Sequence, residues 1–539
     1  MTVEDYYRSV LVPANVAVSA IRRAGLPIDE KRALAAREAL LGQAAVLERE
    51  VESFAAVRGI ALRYSAAHQA PLEPLRTLLY SPKGLGLEKR KDTPTGLAST
   101  DDDGLAHYAS IAMPRDGDVE MVWKILKIRS LARGAGTYLD AFLRTRRADG
   151  CCHPKFNWAV VRTPRISAED PPVHQIPERA DVLVADLIKS CIVPRVAPAP
   201  VPGVWNPHKH GACFRWDILG AEAAIRAAML VHRFTSRRSL AAWEYVRLGK
   251  DVHGKTASLL YGVPEGTFKK GSRERDVEGK QTFFAKLFGG TWRAVQMTMW
   301  TRARTDLTRA QAEQFSDAID RGYPELAELY EHDKIFLGKH GYSEDGYGRR
   351  RAISLPKGAR YLGVANGVSR WADAPHLMGR QTRDELTDGE SKGLAHCFHV
   401  AANTPTQGMN ATDNLWMIAL CYHGEYVDLR VPPMWEGRGL EFPEAATWQL
   451  HEGEGPGGKS LSAWHTNTVH DSGWGDAAPG HLEPAVKVIW RRCRALPMDW
   501  RLEADVPYRI ELQVGPDMGH LRPYNEAAAE FGMEPLPEY

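Results

Sequence analysis

The sequence predicts an α+β protein with more than one domain. Helical patterns occupy most of the chain, and one long amphipathic helix, rich in Ala, Leu and Glu, is predicted from Lys31 to Val57. Strand-like stretches are short and far apart, at 213–216, 467–469 and 508–514. A chain of 539 residues is too long for one compact core, so we expect two or more domains, or one large unit with several lobes.

Composition and charge are those of an ordinary soluble globular protein. Hydrophobic residues make up 44% of the chain and charged residues 25%. The 69 basic and 67 acidic residues leave a net charge of +2, so any nucleic-acid-binding surface must be local. No apolar run reaches the length of a membrane helix, and the N-terminus lacks the pattern of a signal peptide. We therefore expect a cytoplasmic protein.

The seven cysteines do not indicate a disulfide framework, because their number is odd and their density low. Two groups of residues, 151–153 and 208–213, combine Cys with His and raise the alternative of a zinc site. Neither has the paired CxxC spacing of such sites, so we favour structural or surface roles.

The N-terminal part alternates helices with turn-rich segments. Val16 and Ile21 mark one apolar helical face before a break at 25–29, and a short helix is predicted around 75–79. The segment 89–101 is basic and rich in turn residues. It is either a solvated loop or a contact to a phosphate backbone, and the sequence alone does not decide.

A second basic region follows on a predicted helix from Met121 to Arg147. A basic helix is usually a solvated face, but this one comes after a basic loop, so a nucleic-acid surface is an equal alternative. Residues 151–180 then read as strands and loops with several prolines.

The remaining elements are assigned from periodicity and from Gly and Pro positions. Helices are predicted after Asp217, through Leu260, and at 272–289, 310–339, 403–420 and 482–496, with an irregular region that holds an inserted hairpin or loop at 341–393 and a mixture of short strands and a Gly-rich loop at 426–471.

Two aspartates that end strand-like stretches are the strongest candidates for chemistry. Asp217 ends the first strand before a turn at Gly220, and Asp471 follows the strand at 467–469. A carboxylate at a strand end is held by rigid backbone and is a good ligand for a metal ion. Two such carboxylates can share a pair of Mg²⁺ ions about 3.5–4 Å apart, which activate an attacking oxygen and stabilise a leaving pyrophosphate.

The predicted helix at 272–289 supplies a third part. Lys280, Phe284 and Phe288 are spaced at i, i+4 and i+8 and therefore lie on one helical face. We place Lys280 near the helix start, where the dipole also favours phosphate, and the two rings are able to flank a base or sugar. The alternative is an apolar packing face with a lysine at its edge.

These motifs, in this order, resemble the polymerase module of the family A DNA polymerases, relatives of bacterial DNA polymerase I. The resemblance extends from about Val12 to Leu521. The segments that carry it are 22–29, 93–96, 99–100, 162–167 (resembling TGRLSS), 170–177 (DPNLQNIP), 217–222 (DYSQIE), 249–257 (GKDIHxxTA), 280–289, 323–324, 341–351, 403–413 and 469–471 (VHDE).

The resemblance implies a right-hand polymerase fold with an antiparallel β-sheet palm, helical fingers and a helical thumb. Residues 1–35 would be an N-terminal segment that packs on the palm, 36–150 the thumb, 151–230 the first part of the palm, 231–400 the fingers and 401–539 the second part of the palm.

The resemblance also implies residue roles. Asp217 and Asp471 would hold two Mg²⁺ ions, Lys280 would meet the triphosphate as the third catalytic residue, and Glu222 would crowd a ribose 2′-hydroxyl. Other substrate-binding positions are Phe284, Phe288, Arg275 and His470. DNA contacts fall to Arg165, Gln407 and Asn403.

The sequence departs from the family pattern at several of these positions. Phe284 implies discrimination against dideoxynucleotides, whereas Phe288 replaces a tyrosine and loses its hydroxyl. Arg275 lies five residues before Lys280 instead of four. Ser472 replaces a glutamate, which leaves two catalytic carboxylates, and we expect those two to suffice.

The implied function is a phage-type, DNA-directed DNA polymerase that adds deoxynucleotides to a primer 3′-OH. Its expected partners are a DNA primer-template and deoxynucleoside triphosphates. A separate exonuclease or replication accessory proteins are further candidates. We expect a monomer without an intrinsic proofreading exonuclease. The alternatives are a single-subunit RNA polymerase, which Glu222 opposes, and a catalytically impaired DNA-binding homologue.

Overall fold

The structure is a computed structural model, and it describes a defined set of residues. These are residues 10–89, 93, 95–108, 116–158, 165–176, 182–233, 246, 249–299, 305, 307–354, 360–365, 368–372, 388–423, 454–455, 459–469, 472–494 and 509–537.

Helices make up most of the described chain. They are α1 Val12–Ala24, α2 Glu30–Val57, α3 Leu72–Tyr80, α4 Asp102–Tyr108, α5 Asp116–Arg133, α6 Asp140–Thr145, α7 Val182–Lys189, α8 Ala221–Arg233, α9 Val252–Tyr261, α10 Lys280–Leu287, α11 Trp292–Thr298, α12 Arg309–Gly322, α13 Pro324–His340, α14 Asp388–His423, α15 Leu482–Arg494 and α16 Tyr524–Phe531. Two π-helical turns, Gly134–Leu139 and Glu274–Gly279, join α5 to α6 and lead into α10.

The strands are short. They are β1 Leu26–Pro27, β2 Cys151–Cys152, β3 Lys155–Asn157, β4 Ser167–Glu169, β5 Ala212–Ile218, β6 Tyr342–Glu344, β7 Arg350–Ala352, β8 Arg360–Ala365, β9 Val368–Ala372, β10 Glu454–Gly455, β11 Lys459–Ser460, β12 Ala463–Val469, β13 Ser472–Ala477, β14 Ile510–Gly515 and β15 Arg522–Pro523.

One five-stranded antiparallel sheet organises the fold, with strand order β12-β13-β5-β14-β15. It unites the three strand-like stretches predicted from widely separated parts of the sequence. β5 lies at its centre because β13 pairs with one edge and β14 with the other. The other strands form two-stranded pairs. Two of these pairs, β6–β7 and β8–β9, lie within 341–393, where the sequence predicted an inserted hairpin or loop.

One face of β5 enters the largest apolar core through Ala212, Phe214, Trp216 and Ile218. Two glycines on β13 leave room for the Trp216 and Phe214 rings of the paired strand β5. A Cβ atom at Gly473 would lie 2.4 Å from the Trp216 ring, and one at Gly475 would lie 2.2 Å from the Phe214 ring. Any larger residue there would push the strands apart.

The opposite face of the sheet carries a buried ion pair that fixes β13. The guanidinium of Arg195 donates to both carboxylate oxygens of Asp476 at 2.9 Å, and the Arg195 backbone N–H adds a third bond at 3.1 Å. Burial raises the pKa of the Asp476 carboxyl, and Arg195 opposes that shift. Removal of either partner would leave an uncompensated buried charge, which costs several kcal/mol.

The long helix α2 connects two further apolar cores. Its first half, including Ala33 and Leu40, packs in one cluster with the π-helical turn Gly134–Leu139 and α7. Val51 and Ala55, in its second half, belong to another cluster with α3 and α5. Its N-terminus is capped by Asp29, whose side chain accepts from the backbone N–H of Arg32 at 3.0 Å.

Basic residues of the helix predicted at 121–147 bind carboxylates of the chain itself. Lys124 lies 2.7 Å from Glu50, and Asp102 accepts from both Arg129 at 2.9 Å and Arg133 at 2.7 Å. These contacts join α5 to α2 and α4. The basic pattern therefore has a packing role within this region.

The predicted boundary of the helix at 403–420 was wrong. The structure has one helix from Asp388 to His423, and Pro405 lies inside it. Residues 408–419 of α14 are buried, so tertiary packing outweighs the local cost of the proline. Among the described residues, no helix combines the length and apolar character needed to span a bilayer.

Candidate active site

Asp217 lies on the half-exposed face of β5, opposite the aromatic core. Its side chain is 32% exposed, and its Oδ2 accepts a hydrogen bond from Arg215 Nη2 at 2.9 Å. Both residues lie on one face because strand side chains alternate. After Asp217 the chain turns at Gly220, which has φ of +61°, and continues into α8. Asp217 is therefore held at a strand end, as its sequence pattern predicted.

The sheet register places two polar residues directly opposite Asp217, which are Ser472 on β13 and Glu511 on β14. Ser472 is buried, and its hydroxyl donates to the carbonyl of Val469 at 2.9 Å. Glu511 is 31% exposed and lies 3.8 Å from Lys270 Nζ. Sequence reasoning missed Glu511, because the alternation in Ile510–Gly515 reveals a carboxylate beside Asp217 only once the register is known.

His470 and Asp471 lie outside the described residues. The strands on either side of them are described, and Val469 pairs with Ser472 in the β12–β13 hairpin. The predicted strand before Asp471 is thus present and adjacent to β13, which is itself paired with β5.

Lys280, Phe284 and Phe288 are half-buried, and both rings pack at the edge of the largest core. Lys280 is the first residue of α10, so it lies at the start of the α-helical part of this segment. The π-helical turn Glu274–Gly279 continues directly into α10, so Lys280 lies within a longer helical run. The helix dipole favours anions mainly in the first turn of a helical run, so at Lys280 the attraction for a phosphate comes from the side-chain charge and not from the dipole.

Arg275 is engaged by two carboxylates of the chain. Its Nε and Nη2 atoms donate to Asp251 at 2.6 and 2.9 Å, and Nη1 donates to Asp276. The predicted role of Arg275 in substrate binding would require these bonds to rearrange.

His253 is a site residue that sequence reasoning did not single out, although it lies in the motif 249–257. Its ring centroid is 5.8 Å from that of Phe283 and 5.7 Å from that of Phe284. Burial, followed by the charges of Lys280 and Arg275, lowers the pKa of His253 to about 4. The imidazole is therefore neutral at neutral pH and lies beside two cations.

Glu222, Arg165 and Gln407 meet at one point, although they come from three distant segments. Gln407 Nε2 donates to Glu222 Oε1, and Arg165 Nη2 lies 3.6 Å from the same oxygen. Asn403 is exposed one helical turn before Gln407 on α14. The structure thus brings together three of the predicted substrate and DNA residues.

The oxygen donors around Asp217 suit a hard cation such as Mg²⁺, which needs few protein carboxylates and completes its shell with water and phosphate. Asp217 and Glu511 provide such donors on adjacent strands. No cluster of three or more His, Cys, Asp or Glu residues able to hold a metal occurs within the described part of the chain.

The Cys and His groups considered for zinc have packing partners. Cys151 and Cys152 are buried thiols, and burial raises the pKa of each to about 11. His153 bonds the carbonyl of Arg22 at 2.7 Å and the carboxylate of Asp149 at 2.9 Å. These contacts support structural roles.

In comparisons with known proteins, residues 61–199 match the family model described as DNA polymerase family A. Among curated proteins, DNA polymerase I of Synechocystis sp. is 28% identical over 346 residues, which are 62% of this chain and 29% of that protein. DNA polymerase I of Chloroflexus aurantiacus is 25% identical over 42% of this chain and 21% of its own length. The thermostable DNA polymerase I of Thermus thermophilus is 23% identical over 47% of this chain and 26% of its own length. The chain therefore spans less than a third of each of these relatives.

A solved structure shares the fold. The POL domain of Pol1 from M. smegmatis, in complex with DNA primer-template and dNTP, superposes with a TM-score of 0.64 over 95% of this chain and 70% of that chain, at 17% identity. The predicted α+β architecture of a right hand is confirmed by this likeness.

Proposed function

We propose, from the similarity of this chain to the family A DNA polymerases, that it is a DNA-directed DNA polymerase. It would extend a primer 3′-OH with deoxynucleotides on a DNA template by two-metal phosphoryl transfer.

The sheet register around Asp217 carries this proposal. Ser472 is the cross-strand partner of Asp217, and Asp471 is covalently joined to Ser472. Directly paired residues have Cα atoms about 5 Å apart, and one further peptide adds about 4 Å. The proposal therefore requires the Cα atoms of the two aspartates to lie within about 9 Å of each other, which the position of Ser472 allows. Two carboxylates this close are able to bind a shared pair of cations.

Each site residue would have a defined task. Two Mg²⁺ ions on Asp217 and Asp471 would stabilise the charge that develops in phosphoryl transfer. Lys280 supplies positive charge for the triphosphate, and the neutral ring of His253 lies beside it as a polar group. Phe284 offers a half-buried aromatic face for the nucleotide. Positioning and charge are most of what phosphoryl transfer requires of a protein.

DNA contacts complete the proposal. Arg165, Asn403 and Gln407 would face the primer-template, and Glu222 would face the sugar of the incoming nucleotide. We also propose that the subdomain boundaries follow the expectation from sequence. The separate apolar core that α2, α3 and α5 share supports a distinct thumb within 36–150.

Replacement of either aspartate tests the function. Asp217→Ala and Asp471→Ala should each lower single-nucleotide incorporation with Mg²⁺ by a factor of 10³ or more, a magnitude on the order of that found when a main source of transition-state charge stabilisation is lost. Primer-template binding, measured by fluorescence anisotropy, should persist. The matched control is Asp317→Ala, which removes an exposed carboxylate of α12 and should leave incorporation unchanged.

The same assay distinguishes the alternatives. A catalytically impaired homologue has support from Arg215, which already pairs with Asp217, and from the buried Ser472. DNA binding without any extension by the unaltered chain would establish that alternative. Preferred incorporation of ribonucleotides would establish an RNA polymerase. The expected lack of proofreading is tested by incubation of a mismatched primer with Mg²⁺ and no nucleotides.

A further inference from the structure

The carboxylate of Glu222 is held by groups from two other parts of the chain. Glu222 is in the first turn of α8, and its side chain is 21% exposed. Gln407 on α14 donates its amide N–H to Oε1, and Arg165 Nη2 lies 3.6 Å from the same atom. Hydrogen bonds to an ionised acceptor are stronger than those between neutral groups. Gln407 and Arg165 therefore both restrain the orientation of the Glu222 carboxylate.

The direction of the Gln407 amide is informative. The family resemblance implies a DNA contact for Gln407, yet its amide N–H donates to a carboxylate of the protein. Gln407 lies in a mostly buried stretch of α14, between Thr406 and Gly408, which are both buried. Packing of these buried neighbours fixes the backbone of Gln407, and this in turn limits the positions that its side chain reaches.

We propose that Gln407 and Arg165 are positioning residues that set how strictly Glu222 excludes a ribose 2′-hydroxyl. This inference rests on the proposed polymerase function and deepens it at the same site. A carboxylate excludes a hydroxyl sterically only while it stays in place. A carboxylate that loses these two contacts has more orientations open to it and is able to accept a hydrogen bond from the 2′-hydroxyl, and both changes favour ribonucleotides.

Arg165 contributes a second restraint on the same oxygen. Its side chain is 22% exposed, and a separation of 3.6 Å is an ion pair and not a good hydrogen bond. The Gln407 bond should therefore have the larger effect on selectivity. The Arg165 effect should be smaller and sensitive to salt, because a partly exposed ion pair is screened.

The test is the ratio of kcat/KM for a deoxynucleotide to that for the matching ribonucleotide on one primer-template. Gln407→Met keeps the length of the side chain and removes the donor. It should lower this ratio roughly tenfold or more, the effect expected when one hydrogen bond to a charged group is lost. The fall should come mainly from faster ribonucleotide incorporation. Arg165→Met should lower the ratio by a smaller factor, and it serves as the second variant if Gln407→Met does not fold.

Asn403→Ala is the matched control. Asn403 lies one turn earlier on the same helix and is exposed, so any effect of this variant should be on primer-template affinity and not on the ratio. Equal losses for both nucleotides in Gln407→Met, with weaker DNA binding and an unchanged ratio, would overturn the inference and leave Gln407 as a DNA contact. Absence of extension by the unaltered chain would instead overturn the proposed function itself.

Discussion

Arg215 and Asp217 form an ion pair on one face of β5, with a distance of 2.9 Å between Nη2 and Oδ2. The two side chains are 18% and 32% exposed, so solvent screens the pair only in part. An arginine at this position has a chemical consequence, because a guanidinium and a divalent cation compete for the same carboxylate.

Replacement of Arg215 should therefore strengthen metal binding. Arg215→Met keeps the aliphatic stem and removes the competing charge. We expect Mn²⁺ affinity, measured by electron paramagnetic resonance with primer-template present, to rise about three- to tenfold, in line with an ion pair on the order of 1 kcal/mol. Gln513→Met, on the neighbouring strand directly opposite Arg215, is the control and should leave the affinity unchanged. A weaker affinity in Arg215→Met would mean that the arginine supports the metal site.

At the residue scale, the sequence predicted individual side chains that belong to a local motif. It did not predict which side chains from distant segments become neighbours through the register of the sheet. Asp217 follows from its place between a strand pattern and a Gly turn. Glu511 does not, because its proximity to Asp217 depends on which strands are neighbours and on their alignment. The same holds for Glu222 and Gln407, which are 185 residues apart in the chain.

At the scale of elements, the five-stranded sheet contains a buried histidine, His465, whose neutral ring accepts a hydrogen bond that a protonated ring would lose. His465 on β12 is fully buried, and its Nε2 accepts from Trp216 Nε1 at 2.8 Å. The rings of Phe214 and Trp216 are 5.7 and 6.1 Å away. Protonation at Nε2 would remove the acceptor and place a charge in an apolar core. Burial accordingly lowers the pKa of His465 to about 3.

The low pKa makes the stability of the sheet dependent on pH. The unfolded chain binds a proton at His465 near pH 6.5, whereas the folded chain does so only near pH 3, so stability is full above pH 6.5 and is lost as pH falls through this window. This residue alone should cost about 2 kcal/mol of stability between pH 7 and pH 5. His465→Gln keeps an acceptor and should remove that part of the pH dependence.

Urea unfolding followed by tryptophan fluorescence at the two pH values measures this effect. His208→Gln, which replaces an exposed histidine outside the sheet, is the control. An equal difference between pH 7 and pH 5 in His465→Gln and in the unaltered chain would contradict the argument and place the acid sensitivity elsewhere.

Elements with a strong local pattern were predicted well, and those decided by tertiary packing were not. The helical periodicity predicted α2 almost to the residue, as Lys31–Val57 against the observed Glu30–Val57. The first half of α14 was missed because Pro405 normally ends a helix and disfavours helical backbone at the preceding residue. Burial of the following turns against α1, α8 and α13 stabilises that helix, and such packing has no local signature.

At the scale of the whole molecule, a buried ion pair joins the sheet region to a distant helical region. Arg226 is one turn beyond Glu222 on α8, and its Nη1 donates to Asp333 Oδ2 on α13 at 2.9 Å. The two side chains are 0% and 4% exposed. Arg226 Nε and Nη2 are buried, and no described residue accepts from them. The pair therefore recovers only part of the desolvation cost of its charges.

This incomplete pairing predicts opposite effects for single and double replacement. Arg226→Met leaves Asp333 as a buried carboxylate without its arginine, and it should destabilise the fold by about 3–5 kcal/mol. Arg226→Met combined with Asp333→Leu replaces both charges by apolar groups of similar volume, and it should recover most of that loss. Thermal unfolding of the four chains of this double-mutant cycle gives the coupling energy. A double variant as unstable as Arg226→Met would show that the pair is fully satisfied and that α8 and α13 depend on its charges.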